Sequence, residues 1–182
     1  MTTPGPAPSA WLTFARQVIE HTARRADVAD TSSAPAEARA HNGVFVTLHK
    51  HGRLRGCMGV LDDRLPLAEA VRQAAISAAA RDPRFAPVAP DELSDVQVEV
   101  SILSPPQRMR SLDDLELGRH GVLVQRGLQR GLFLPQVAVE HHMTKETFLG
   151  LCCHEKAGLP AEAWRDPATE VLLFTAEVLR EP

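Results

Sequence analysis

The residues whose types and spacing could do chemistry are concentrated in Leu54-Arg55-Gly56-Cys57-Met58-Gly59, where a thiol has glycine at one residue's distance on one side and two on the other. Glycine has no side chain in the way, so the backbone beside Cys57 can bend sharply and be approached closely. Arg55 stands two positions before Cys57 and would share its side of a strand, because side chains alternate with a period of two. A nearby guanidinium favours thiolate over thiol, and the thiolate is the form that acts as nucleophile or metal ligand. Cys57 is therefore a candidate reactive centre, with Arg55 its charged neighbour and Gly56 and Gly59 shaping the loop. The plainer reading makes Cys57 a small buried hydrophobe and Arg55 a surface charge.

Two other places could supply acid or base chemistry. Val96, Val98, Val100 and Ile102 alternate with Gln97, Glu99 and Ser101, the period of a strand with one buried face. Glu99 and Ser101 share the other face, and on a cleft wall Glu99 is a ready acid or base. In Asp82-Pro83-Arg84-Phe85, Phe85 is expected to fill the core. Asp82 and Arg84 are either an ion pair that fixes the turn or polar groups lining a cleft. His49 and His51 flank a turn with no third ligand nearby, and they are assigned no role. Cys152, Cys153 and His154 are consecutive, and on a helix such residues point about 100° apart and cannot all grip one ion. No metal and no cofactor is expected.

The elements that must position these residues are legible in the hydrophobic pattern. Ser9 is a candidate N-cap for a helix in which Trp11, Leu12, Ala15, Val18, Ile19, Thr22, Ala23 and Ala26 recur at three- and four-residue steps. The segment from Asp30 to Asn42 is polar and aperiodic, and is expected to be mobile. Gly43 to Leu48 reads as a strand, His49 to Gly52 as a turn, and Arg53 to Val60 as the return strand carrying Cys57. Pro66 is expected to be the first residue of a helix whose stripe of Leu67, Val71, Ala74, Ala75, Ala78 and Ala79 lets it lie close against a sheet. Gly121 to Gln125 and Gly131 to Leu134 bracket a second hairpin with a longer loop, Arg126 to Arg130. Pro135 and Thr144 open two short helices, and Thr169 to Val178 supplies a last strand. The order reads as α+β, with a mixed or mostly antiparallel sheet flanked by helices.

Composition disfavours several classes. A chain of 182 residues can bury close to ~70% of its unfolded surface and needs no staples. With net charge −3 there is no basic footprint for nucleic acid or for an anionic membrane. Three cysteines, two of them adjacent, do not make a disulfide scaffold. The first ten residues lack a basic region followed by an apolar run, and no stretch approaches the length of a membrane span, so cytoplasmic residence is expected.

Six ordered segments, Gly43 to Leu48, Leu54 to Gly59, Asp82 to Phe85, Glu99 to Ser101, Leu134 to Ala138 and Lys156 to Leu159, together resemble the AMMECR-type domain, known in bacteria and archaea as AmmeMemoRadiSam system protein A. The resemblance runs from about Trp11 to Leu179. Residues 1–10 are expected to be a disordered N-terminal segment and 11–182 a single domain, for which the resemblance implies a larger lobe, a smaller lobe drawn from parts of 115–165, and a cleft between them. It also implies two partners, a Memo-like protein and a radical SAM enzyme. This chain is not itself the radical SAM enzyme, because its cysteines cannot supply a separated CxxxCxxC triplet. Family members often carry Gly-Trp where this chain has His142-Met143.

Three functions are weighed on these residues. One is an enzyme or enzyme component acting on a small molecule in a cleft near Cys57, with Arg55 holding an anionic group and Glu99 or Asp82 moving protons. Another is a non-catalytic adaptor or substrate carrier for the two partners, with the same loop as docking surface. A nucleic-acid-binding regulator has only the arginine content in its favour.

Overall fold

The computed structural model describes residues 9–25, 34–36, 41 and 43–182. The chain forms an α+β fold of two compact units, one of Met1–Leu103 with Glu177–Pro182, the other of Ser104–Ala176. Every strand register below is antiparallel.

In the first unit the helix α1 spans Ser9–Ala23, β1 Gly43–Lys50, β2 Arg53–Val60, α2 Leu67–Ala80 and β3 Val96–Leu103. The strands lie in the order β2-β1-β3. The β1–β2 connection is a two-residue turn in which His51 (φ 51°) and Gly52 (φ 73°) both take positive φ, as the tightest hairpin turns require. Six small residues of α2, namely Ala70, Val71, Ala74, Ala75, Ala78 and Ala79, are buried. They bring the helix so close to the sheet that a Cβ on Gly56 would lie 2.4 Å from the carbonyl oxygen of Ala78. Trp11 and Phe14 of α1 are buried edge to face with centroids 6.2 Å apart. Arg16 binds the carbonyls of Leu93 and Val96 and the carboxylate of Glu181, tying α1 to the end of the chain.

Four expectations are adjusted here. Pro66 is not helical (ψ 141°); it precedes the first turn, and its carbonyl accepts the Ala70 N–H at 3.0 Å. The helix at the N-terminus already includes Ser9 and Ala10, while residues 1–8 and Ala26 lie outside the described residues. Most of the segment expected to be mobile also lies outside them, but His41 within it is buried, its Nε2 2.9 Å from the Leu65 carbonyl oxygen. Finally, β3 is buried on both faces from Val98 to Leu103, with Glu99 and Ser101 among the buried residues.

In the second unit β4 spans Gln107–Arg108, β5 His120–Arg126, β6 Gln129–Phe133, α3 Pro135–Glu140 and α4 Lys145–Leu151. The strand β7, Glu170–Arg180, contributes its residues up to Ala176 here and its remainder to the first unit. The strand β7 has β5 on one side, followed by β6, and also pairs with β4. The hairpin loop is only Gly127-Leu128, shorter than the expected Arg126 to Arg130, because arginines and Gln129 that read as polar loop are paired in the ladder, Arg126 with Gln129 and Gln125 with Arg130. Thr144 caps α4, its hydroxyl accepting the Thr147 N–H at 3.2 Å. Phe133 and Phe148 stack at 5.6 Å in a core that also takes in Leu115, Val122, Leu149, Cys152 and Cys153.

Candidate functional site

Cys57 lies on β2, opposite Thr47 of β1, which in turn lies opposite Glu99 of β3. These three side chains form one row across the sheet, on the face away from Gly56 and α2. In the next row Gly59, Phe45 and Ser101 follow in the same order. A Cβ on Gly59 would lie 2.5 Å from the Phe45 ring, so the missing side chain is what lets that ring lie across the strand. The two glycines serve opposite faces: Gly56 admits α2, and Gly59 admits Phe45.

Each polar atom of Cys57 is held by a different side chain. Its backbone N–H donates to Asp82 Oδ2 at 2.9 Å, its carbonyl accepts from Arg84 Nη2 at 3.3 Å, and its Sγ accepts from the Thr47 hydroxyl at 3.3 Å. Asp82 and Arg84 thus bond the outer edge of β2 as a neighbouring strand would, satisfying groups that an edge otherwise leaves open. The pair is itself rigid, with Arg84 Nε 2.9 Å from Oδ1 and Nη2 2.7 Å from Oδ2 of Asp82. The Arg84 N–H adds a turn bond to Oδ1 at 3.1 Å. The Arg84 side-chain bonds hold the buried Asp82 carboxyl far below the usual carboxylate range, outweighing the burial that pushes it up. The ion pair that fixes the turn and the polar lining of the reactive strand are one and the same.

Arg55 shares the strand but its guanidinium turns to another partner. It donates to both carboxylate oxygens of Glu92, at 3.1 and 2.8 Å, and to the carbonyls of Ala86 and Pro87. Lys50 adds a bond to Glu92 at 3.0 Å, and the Ala89 N–H another at 3.1 Å. Arg55 first, then the Ala89 N–H, lower the Glu92 pKa to about 2. Phe85 is half-buried under two guanidiniums, Arg84 at 5.5 Å and Arg55 at 6.0 Å from its ring centre, and does not plug the core. Arg55 therefore fastens the loop that follows Asp82-Pro83-Arg84, while Arg84 is the cation that touches Cys57.

Glu99 is buried and bound by Arg180 Nε. Sequence reasoning did not find Thr47, Glu92, Lys50 or Arg180, and the last three act through cross-strand or loop contacts that no local spacing encodes. Alternation alone could have offered Thr47, as the polar residue on the far face of a strand beside Cys57. The other two cysteines differ sharply from Cys57: both are fully buried, desolvation pushes the Cys152 thiol up to about 12, and it raises that of Cys153 as well. Among the described residues no three His, Cys, Asp or Glu side chains are grouped to hold a metal ion. None of the described helices is long and apolar enough to cross a membrane.

This arrangement sits in a chain whose residues 12–179 match the family model AMMECR1. The chain belongs to the AMMECR1 family. It is 43% identical over 179 residues to protein TK0174 of Thermococcus kodakarensis, covering 92% of this chain and 87% of that one. A Methanothermobacter thermautotrophicus protein is 48% identical over 81% of this chain and 79% of its own length. The crystal structure of the uncharacterised protein PH0010 from Pyrococcus horikoshii superposes with a TM-score of 0.85 at 38% identity, covering 94% of this chain and 89% of that one. For an AMMECR1 protein, the segment matched by the family model contains the whole Cys57, Asp82, Arg84 and Thr47 cluster.

Proposed function

We propose that this AMMECR1 protein is an enzyme component that engages a small molecule through the thiol of Cys57, working with a Memo-like protein and a radical SAM enzyme. The observation that carries the reading is the treatment of Cys57 itself. It is the one cysteine of three that is not fully buried, and its N–H, carbonyl and sulfur are each fixed by a separate side chain. The two backbone bonds serve the edge of β2, and the bond that a merely packed cysteine does not need is the one from the Thr47 hydroxyl to its sulfur. Because Thr47 donates to the sulfur, one Sγ lone pair is held in a fixed direction. Arg84, bonded to the Cys57 carbonyl and paired with Asp82, and Glu99, one strand beyond Thr47 and held by Arg180, are the charged groups nearest the thiol along the sheet. Asp82 and Arg55 act as positioning residues.

One observation favours the adaptor reading. Leu54, at the start of the same strand, is 42% exposed and could be covered by a partner. The two readings separate in one experiment, affinity purification of the tagged chain and of Cys57→Ser from its host, followed by mass spectrometry of retained proteins and of the chain's intact mass. The enzyme-component reading expects both variants to retain the same partners, and only the parent to carry a covalent adduct on Cys57. Loss of the partners from Cys57→Ser, with no adduct on the parent, would establish the adaptor instead.

A further inference from the structure

The second unit holds a pocket of about 510 Å³ that includes none of the residues discussed above as functional. Its wall is the extended run from Gln107 to Arg110. Gln107 and Arg108 pair with Leu173 and Leu172, and the Met109 N–H donates to the Val171 carbonyl at 2.9 Å. Met109 packs on the hydrophobic core of this unit, so alternation sends Arg108 and Arg110 to the other side, and both line the pocket. Neither guanidinium makes a hydrogen bond or ion pair with any described residue. Arg119 also lines the pocket, and its only partner is the exposed Glu116, in a surface pair of the kind that contributes little and can be given up.

His120 completes the donor set. Its Nδ1 accepts the Glu116 N–H at 3.1 Å, which places the ring hydrogen on Nε2, and Nε2 has no acceptor among the described residues. The single carboxylate on the lining, Asp114, is already committed: its Oδ2 accepts the N–H groups of Arg110 and Ser111, and these bonds lower its pKa. The lining therefore presents three guanidiniums and an imidazole N–H against one spent carboxylate, next to the exposed apolar edge of Pro105.

We propose that this pocket binds the phosphate group of a small phosphate monoester whose organic part rests against Pro105. The lining's excess of two positive charges matches a dianion, and guanidinium forks match the spacing of phosphate oxygens. Binding here does not involve Cys57, so the site stands independently of the function proposed above.

The test is a titration of the intact chain by two-dimensional amide NMR at fixed ionic strength, with phenyl phosphate, inorganic phosphate and benzoate as probes. Saturable shifts confined to 104–120 and 173–175 are expected, with phenyl phosphate binding at least about tenfold more tightly than benzoate, a difference of about 1.4 kcal/mol. The double variant Arg108→Gln, Arg110→Gln should weaken phenyl phosphate by at least about tenfold at unchanged thermal midpoint, whereas Arg165→Gln, exposed in the same unit, should bind as the parent does. Shifts that never saturate, benzoate binding as well as phenyl phosphate, or an equal loss in Arg165→Gln would each overturn the proposal. If His120→Asn also weakens binding severalfold without moving the midpoint, the Nε2 hydrogen is part of the site; unchanged affinity would remove it.

Discussion

Replacing Gly56 with alanine tests whether the Cys57 strand is held in place by close contact with α2. The added Cβ would stand 2.4 Å from the Ala78 carbonyl oxygen, and that oxygen belongs to helix backbone that cannot rotate aside. Relief needs a movement of roughly 1 Å, since carbon atoms in contact sit about 3.5 Å from their neighbours. Overpacking of this kind costs about 1–3 kcal/mol, and a backbone obstacle puts Gly56→Ala toward the upper end. For a chain of this length that lowers the thermal midpoint by about 6–12 °C. Gly150→Ala is the matched contrast of opposite sign. Its Cβ would meet nothing nearer than 3.4 Å, and removing glycine from inside α4 should gain about 0.5–1 kcal/mol. Thermal and urea unfolding followed by circular dichroism read both. A Gly56→Ala midpoint equal to the parent's would refute the close approach of α2 to β2, and with it the geometry that brings Asp82 to the Cys57 N–H.

Other outcomes follow from the same contacts. Arg55→Met removes the fork on Glu92 and should destabilise by about 1.5–3 kcal/mol while leaving the native alkylation rate of Cys57 within about twofold, because its guanidinium serves the 86–92 loop; a several-fold slower rate at unchanged stability would show that Arg55 acts on the thiol. Ala74→Leu, at a fully buried site of α2, should cost about 1–3 kcal/mol in urea unfolding, with half-exposed Arg72→Ala as control. Glu92 has a folded pKa of about 2, below its unfolded value of about 4.3, so its stabilisation is complete above that higher value and is lost as pH falls toward 2. Glu92→Gln should therefore flatten the parent's stability profile between about pH 5 and pH 2, by on the order of 2 kcal/mol, and equal slopes for the two proteins would contradict the assignment.

Much of the fold is written in local patterns. The alanine stripe of α2, the alternation of β3 and the turn glycine before Arg53 each specify an element without reference to the rest of the chain. The Cys57 strand was legible for the same reason, since glycines around a thiol mark close backbone approaches. What escaped depends on partners far apart in sequence. Arg55 and Cys57 do share a strand, but a long flexible side chain goes where a carboxylate waits, and Glu92 lies 37 residues away. Asp82 and Arg84 looked like a choice between fixing a turn and lining a site because the edge of β2, which lets one pair do both, exists only in three dimensions. The loop at Gly127-Leu128 was misjudged because its charged flanks read as loop, although charge on an edge strand is ordinary.

The central claim is that Cys57 is a positioned, reachable thiol and that Cys152 and Cys153 are packing residues. Peptide mapping of the native protein after timed exposure to iodoacetamide measures it directly. Cys57 should be modified first, at a rate that falls when Thr47→Val removes the donor to its sulfur, while Cys152 and Cys153 react only as the protein unfolds. Modification of Cys57 last of the three, or only together with the buried pair on unfolding, would contradict the account.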